Sequence, residues 1–368
     1  MKVLILLSEA YYRYEHGFKA AFMANGCENV DFFKIGIFSH KLTGLKKIAY
    51  KAGIKNYENE YSDKLLKELN IKINTFKPDF ILVVADFSDI GNYLQEKLIP
   101  YFEENNTIVW LLDSIKTMQV NQNLLHSIDK LYVFEYHDLE YIKSNYSGVE
   151  QAAFLPFGCD NLIFCNNEAL KTDEKRPIDI CFVGVADDKR LRILNELAEY
   201  CQIEKKKMLI YGHFWHNKHG YQRIIGALKF KNKYPALFSY INNSYITPVE
   251  ANELYGKSKI CINIHQDIHL GPNPRTFEIL GNGNFQLCDN QDFTRIDLID
   301  KQDLVIYDSN DMEDLIKKVK YYLAEPDKRY QISKSGMDKT RKYYTFKNNI
   351  QEILNDYYNF VSDKNAIN

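Results

Sequence analysis

The stretch Thr247–Asn290, TPVEANELYGKSKICINIHQDIHLGPNPRTFEILGNGNFQLCDN, restricts the fold more than any other part of the chain. Pro248 at a first helical position, with Glu250 and Glu253 after it, opens a helix whose Ala251, Leu254 and Tyr255 make an apolar stripe at helical spacing. The run from Lys259 to Ile264 is mostly apolar and branched, as in a strand buried on both faces. A polar loop containing Gly and Pro follows, from His265 to Pro274. Residues 275–280 read as a second helix, ended by Gly281 and Gly283, and residues 284–288 return as a strand. The His265–Pro274 loop therefore lies at the carboxyl end of one strand and the amino end of the next helix. Anionic ligands collect at such loops, because unpaired backbone N–H groups and the helix dipole point there.

The rest of the chain repeats this alternation. Residues 3–7, 29–35, 80–85, 107–112, 131–135 and 152–155 read as strands of a first half, and 178–183, 208–211 and 303–307 join the two central strands in a second. Helical patterns fall at 16–24, 62–76, 138–144, 191–200, 311–323 and 326–343, with a terminal amphipathic helix from Phe346 to Phe360. The fold class is α/β, with two doubly wound Rossmann-like domains. A chain of 368 residues exceeds the roughly 250 to 300 at which a single core stops growing. Pro156, Gly158 and the polar run to Pro177 form the connection, giving domains of 1–160 and 161–345.

Bulk properties exclude several classes. Forty-seven basic against 49 acidic residues leave a formal net charge of −2, so no global field recruits nucleic acid or an anionic membrane. Seven cysteines without a C-x-x-C pair fit a reduced interior better than a disulfide framework or zinc site. No apolar run approaches the roughly 20 residues of a membrane span, and Ser8-Glu9 cuts the apolar start too short for a signal peptide. The expectation is a soluble cytoplasmic protein. Lys41 to Lys55 carries five lysines among Leu42, Leu45, Ile48, Ala49 and Ile54. It reads either as a basic helix resting on the inner face of a membrane, or as a solvated face that Gly44 and Gly53 weaken. Lys229 to Lys233 reads as solvated surface.

Candidate chemistry sits in the loops after strands. Glu15 and His16 close the loop YYRYEHG, by their residues an ordinary helix start that only a family resemblance would turn into an acid/base site, with His16 or Glu15 as the group. Asp113 ends a strand, where an aspartate acts as a base or caps a loop. The segment GVADDKR at 184–190 is not G-x-G-x-x-G, so a dinucleotide fingerprint is unsupported. Gly184 nevertheless lets the backbone approach a ligand, and Lys189, Arg190 or Arg192 reach a diphosphate or simply stay solvated; Arg190 is preferred for the ligand.

Glu250, Tyr255, Ser258 to Ile264, Asn273, Arg275 to Glu278, Gly283, Phe285, Leu287 and Asp289 together resemble the nucleotide-binding half of GT-B glycosyltransferases, in the branch typified by the spore-maturation CgeB-like proteins. Weaker matches are WLLD at 110–113, LPFGCD at 155–160, DICFVG at 179–184 and IYGHFW at 210–215. The resemblance implies two domains facing across a cleft, with helix 346–363 packing back on the N-terminal, acceptor-binding domain. The C-terminal domain would bind a nucleotide diphosphate sugar through Gly184, Arg190, Tyr211, Gly212, Trp215, Asn273, Arg275, Thr276 and Glu278. Trp215 would lie beside the base, unless it belongs to the core, and Glu278 would accept the ribose hydroxyls, unless it merely pairs with Arg275 on a helix surface. Asp113, His16 and Arg275 are the catalytic candidates.

Leu270 stands where many retaining members carry a second glutamate, so neither retention nor inversion is assigned. Departure of the diphosphate needs cations and amide dipoles. Arg275, Arg190 and a helix N-terminus meet that need, so no metal and no cofactor beyond the donor substrate are expected. The implied function is sugar transfer to an acceptor hydroxyl in cell-surface polysaccharide or glycoconjugate assembly, on a glycan or lipid-linked acceptor, with peripheral membrane contact and no nucleic acid. A nucleotide-sugar epimerase of the same fold and a non-catalytic nucleotide-binding module are the alternatives.

Overall fold

The computed structural model describes residues 1–35, 57–165, 173–215 and 220–367, with Thr43, Gly44, Ile48 and Tyr50 between the first two segments. The Lys41–Lys55 segment read as a basic helix thus lies mostly outside the described residues. The chain divides into Met1–Phe157 with Phe346–Asn368, and Gly158–Thr345. The division falls a few residues before the 160/161 boundary drawn from the sequence.

The first unit is built on six parallel strands: β1 (Lys2–Ser8), β2 (Asn29–Ile35), β3 (Phe80–Val84), β4 (Thr107–Leu111), β5 (Lys130–Val133) and β6 (Ala152–Phe154). Their order is β2-β1-β3-β4-β5-β6. Strands β3 and β4 are buried along their whole length, as the uninterrupted runs FILVV and TIVWL require when helices cover both faces of a parallel sheet. One face packs Leu4, Leu6, Ile81, Val83 and Val109 against Leu65, Leu66 and Leu69 of the Glu58–Phe76 helix and Leu94, Leu98 and Phe102 of the Asn92–Glu104 helix. That second helix has Pro100 inside it, a missing N–H that its buried apolar stripe outweighs. The Phe346–Ile367 helix belongs to this unit: the Phe346 ring lies 4.7 Å from Phe18, Tyr357 stacks 4.6 Å from Phe80, and Asp356 accepts from the Tyr132 hydroxyl at 2.5 Å.

The second unit has a parallel sheet of β7 (Ile178–Val183), β8 (Met208–Tyr211), β9 (Ile241–Asn242), β10 (Ser258–Asn263), β11 (Gln286–Asp289) and β12 (Val305–Tyr307), ordered β12-β11-β10-β7-β8-β9. Counted along the chain within this unit, that is the order 3-2-1-4-5-6 of a dinucleotide-type sheet, and it reverses between β7 and β10. The reversal in the first unit lies between β1 and β3. At these two points successive crossovers leave to opposite faces and open a crevice at the carboxyl ends of the strands.

Among the described residues no helix is long and apolar enough to cross a membrane. All seven cysteines are free thiols.

Candidate functional site

In the second unit the reversal point is flanked by Val183-Gly184 after β7 and Ile264-His265 after β10. Asp187 caps the Asp188–Ile203 helix by accepting from the Arg190 N–H at 2.8 Å, which fixes Arg190 in the first turn. Its side chain then crosses the crevice: Nε donates to the Ile264 carbonyl at 2.9 Å and Nη1 to the Val185 carbonyl at 3.1 Å. Nη2 has no hydrogen-bond partner among the described residues. Burial makes the Arg190 charge harder to hold than usual and the Arg275 charge adds to the effect, while Asp187 and Asp289 oppose it. The Arg275 charge is thus felt at Arg190.

The loop after β10 is braced from below. Asn273 N–H donates to Nε2 of His265 at 3.0 Å, which leaves the ring proton on Nδ1, 2.7 Å from Oδ1 of Asp289. Lys189 Nζ lies 2.8 Å from Oδ2 of the same carboxylate. His265 and Asp289 are fully buried. Burial pulls the imidazole pKa down more than Asp289 raises it. Burial alone would raise the Asp289 pKa, but the bonds from His265 and Lys189 win and hold it below the usual carboxylate range. His265, Cys288 and Asp289 offer three ligand atoms within 4.8 Å of one another. Both imidazole nitrogens are already bonded and Lys189 already supplies the positive charge, so the cluster is a loop brace rather than a metal centre.

This brace predicts a pH dependence. A histidine whose folded pKa lies below its unfolded value of about 6.5 gives stability that is complete above that pH and lost as pH falls toward the folded value. The thermal midpoint of the second unit is expected to drop by a few degrees between pH 7 and pH 5.5. His265→Gln should lower the midpoint at pH 7 and flatten this slope; an equal slope in both proteins would remove His265 from the linkage. Asp289, with its pKa lowered, adds a second loss only below about pH 4.

Several sequence-derived site residues turn out to hold the scaffold. Asn273 accepts from the Thr276 N–H as N-cap of the Pro274–Gly281 helix and pairs amide to amide with Asn263, at 3.1 and 3.0 Å. Thr276 is fully buried and its hydroxyl accepts from Asn263 at 3.1 Å. The polar atoms of both side chains are thus engaged in shaping the helix start. The partly buried Trp215 ring packs against the core, stacking 5.2 Å from Phe238 and lying 5.1 Å from Phe230.

Gly184 and Gly212 do meet at the reversal point. Gly184 N–H donates to the Tyr211 carbonyl at 3.0 Å, and the Gly212 backbone lies directly on the Gly184 carbonyl. The half-buried Tyr211 ends β8 beside them.

Arg275 and Glu278 are joined by a hydrogen bond from Nη1 to Oε2. The pair is not the exposed helix-surface bridge weighed from the sequence, since the Glu278 side chain is only 2% exposed. Tyr255, part of the apolar stripe and of the family resemblance, feels both charges, and its hydroxyl is buried without a hydrogen-bond partner among the described residues. Sequence reasoning also passed over the His265–Asp289–Lys189 brace. The usable signal is a polar residue at or just past the end of each of two consecutive parallel strands.

In the first unit Ser8 Oγ accepts from the Asp86 N–H at 3.1 Å across the β1/β3 reversal. Burial raises the Tyr11 hydroxyl pKa, and the charges of Asp113 and Asp86, which follow the carboxyl ends of β4 and β3, raise it further, with smaller effects from Tyr14 and Asp89. Asp113 also accepts from the Ser114 N–H at 2.8 Å, the loop-capping role. His16 is exposed in the first turn of the Glu15–Ala24 helix, with no hydrogen bond or ion pair among the described residues, and Glu15 pairs with Lys34 at 2.7 Å. The structure brings Asp113 to the strand-end cluster and leaves His16 outside any bonded network.

A cavity of about 360 Å³ opens at the opposite end of the second sheet, beside Arg176, Lys259 and Arg329. Those cations are already bonded, Arg176 to the Ser258 carbonyl at 2.7 Å, Lys259 to Asp179 at 2.8 Å and Arg329 to Asp173. It lies at the amino ends of parallel strands, away from the reversal point, and we do not take it as the site.

Two parallel six-stranded sheets of these orders give the GT-B fold of glycosyltransferases. Residues 190–355, a segment beginning at Arg190, match the glycosyl transferase-like family model. Sucrose-phosphate synthase from Thermosynechococcus elongatus superposes with a TM-score of 0.69 at 13% identity, over 99% of this chain and 100% of that one. An alpha-glucosyltransferase in complex with UDP and a 13-mer DNA containing an HMU base gives 0.68 at 11% identity, over 97% and 99%. HepE from Anabaena in complex with UDP gives 0.62 at 10% identity, over 98% and 100%. No curated protein sequence matches significantly.

Proposed function

We propose that this chain is a glycosyltransferase that moves a sugar from a nucleotide diphosphate sugar to an acceptor hydroxyl, with the second unit holding the donor. The observation that carries the reading is Arg190 spanning the reversal point of a 3-2-1-4-5-6 sheet, where anions bind this architecture, with the Arg275 charge felt there. When the bond between sugar and phosphate breaks, its electron pair stays on the diphosphate oxygen. Arg190, Arg275 and the positive end of the Pro274–Gly281 helix dipole answer that charge without a metal ion. Glu278, held by Arg275, is the acceptor for the ribose hydroxyls. The strand-end group of Asp113, Asp86 and Tyr11 serves the acceptor, with Asp113 as the base. UDP bound to two structural neighbours supports UDP as first probe. Surface polysaccharide or glycoconjugate assembly, in the CgeB-like branch, is the setting the sequence resemblance supports.

Calorimetric titration with UDP in the presence of EDTA tests the donor half of this reading. Binding is expected to persist in the chelator. Glu278→Gln keeps the side-chain shape and should weaken binding by about ten- to a hundredfold, the range for losing hydrogen bonds to a charged group. Unchanged affinity in a folded variant removes Glu278 from the donor site. Epimerisation of a nucleotide sugar without any acceptor would replace transfer by isomerisation.

A further inference from the structure

The Tyr221–Lys233 helix faces the wrong way for an ordinary surface helix. At about 3.6 residues per turn, Tyr221, Ile224, Ile225 and Leu228 share one face. That face points outward: they are 70%, 63%, 44% and 59% exposed. The opposite face, which rests on the core, consists of the half-buried Gly226 and Ala227 and the buried Phe230. The large aliphatic side chains are thus in solvent, while Phe230 and two small residues hold the helix to its domain. The sequence reading of 229–233 as plain solvated surface saw the charges and missed the stripe that precedes them.

Charge decides the occupant. The helix carries Arg223, Lys229, Lys231 and Lys233 and no acidic residue, on a chain whose net charge is −2. Lys229 and Lys231 fall on the two sides of the apolar stripe, where long side chains reach past a buried face to a charged boundary. Lys231 and Lys233 lie over the Phe238 and Tyr234 rings, 5.8 and 5.1 Å from their centroids, which keeps both charges at the helix. A second copy related by a twofold axis would bring the same cations together, an unfavourable pairing.

We propose that this helix lies in the interface of an anionic lipid membrane, with Tyr221, Ile224, Ile225 and Leu228 among the acyl chains and the flanking lysines on the headgroups. Its 13 residues form a single short amphipathic element, so binding is reversible and depends on both contributions.

Co-sedimentation of the full-length protein with phosphatidylcholine vesicles, with and without phosphatidylserine, tests this. The protein is expected to pellet with the anionic vesicles only and to be released by high salt. Combining Ile224→Gln with Leu228→Gln should weaken partitioning by about a hundredfold. Combining Lys229→Gln with Lys231→Gln should weaken it by about tenfold or more. These positions lie outside the donor site, so UDP binding serves as the folding control. Wild-type protein that ignores anionic vesicles, or an apolar double variant that binds them equally well, overturns the proposal. So does light scattering that shows a dimer lost in the apolar variant, which would make a second copy the occupant.

Discussion

Gly212→Ala is expected to destabilise the second unit by about 4 kcal/mol or more, the range that single substitutions reach only through a severe local clash. Two independent costs coincide there. Gly212 has φ of +150°, a conformation that L side chains rarely adopt, and a Cβ would stand 1.7 Å from the Gly184 carbonyl oxygen. That oxygen belongs to backbone fixed by the Gly184 N–H bond to Tyr211, so it has no rotamer through which to retreat. Gly220→Ala separates the two costs, because Gly220 has φ of +84° with nothing within 4 Å of a Cβ. It should cost only about 1 kcal/mol, the conformational part alone. Denaturant unfolding of both variants checks the difference, and near-equal midpoints would show that the two glycine backbones do not pack as described. The effect matters for function because Gly184 borders the crevice that Arg190 crosses.

The strands were legible where their residues are apolar on both faces. VLILL, FILVV, TIVWL and ICIN announce parallel strands because no polar alternation is needed when helices cover both sides. β9, two residues long, carries no such signal, and its pairing comes from β8 beside it. The Asn92–Glu104 helix was missed because Pro100 reads locally as a stop, whereas Leu94, Leu98 and Phe102 buried against the sheet override it.

The site divides the same way. The position of Arg190 was legible, since a helix start after a strand-end glycine places it in the first turn beside the strand ends. Thr276 and Asn273 stood in the right loop, but what they touch depends on Asn263, ten or more residues away on β10. The His265–Asp289 brace depends on β10 and β11 being neighbours in register, Asn263 opposite Cys288, which no window of sequence displays.

Arg190 is where the catalytic reading is most exposed to disproof. Arg190→Ala should lower turnover, followed by UDP release from a UDP-sugar donor, by about 10²- to 10³-fold, the loss typical of one group that stabilises developing negative charge. Donor affinity should fall less, because the charge on the diphosphate is greatest as the sugar departs. Arg190→Lys keeps the charge but not the fork that holds both the Ile264 and Val185 carbonyls, so it should recover only part of the rate. Arg192 provides the control: two residues further along the same helix, it donates to the Ser309 carbonyl at 2.9 Å, and Arg192→Ala should leave turnover near that of the wild type. A bracket that only ties β7 to β10 would behave differently. Arg190→Ala would then lower the thermal midpoint while the folded enzyme kept its rate, and Arg190→Lys would follow it. Full turnover per folded molecule in Arg190→Ala would leave Arg275 without its partner and move the diphosphate away from the reversal point of the sheet.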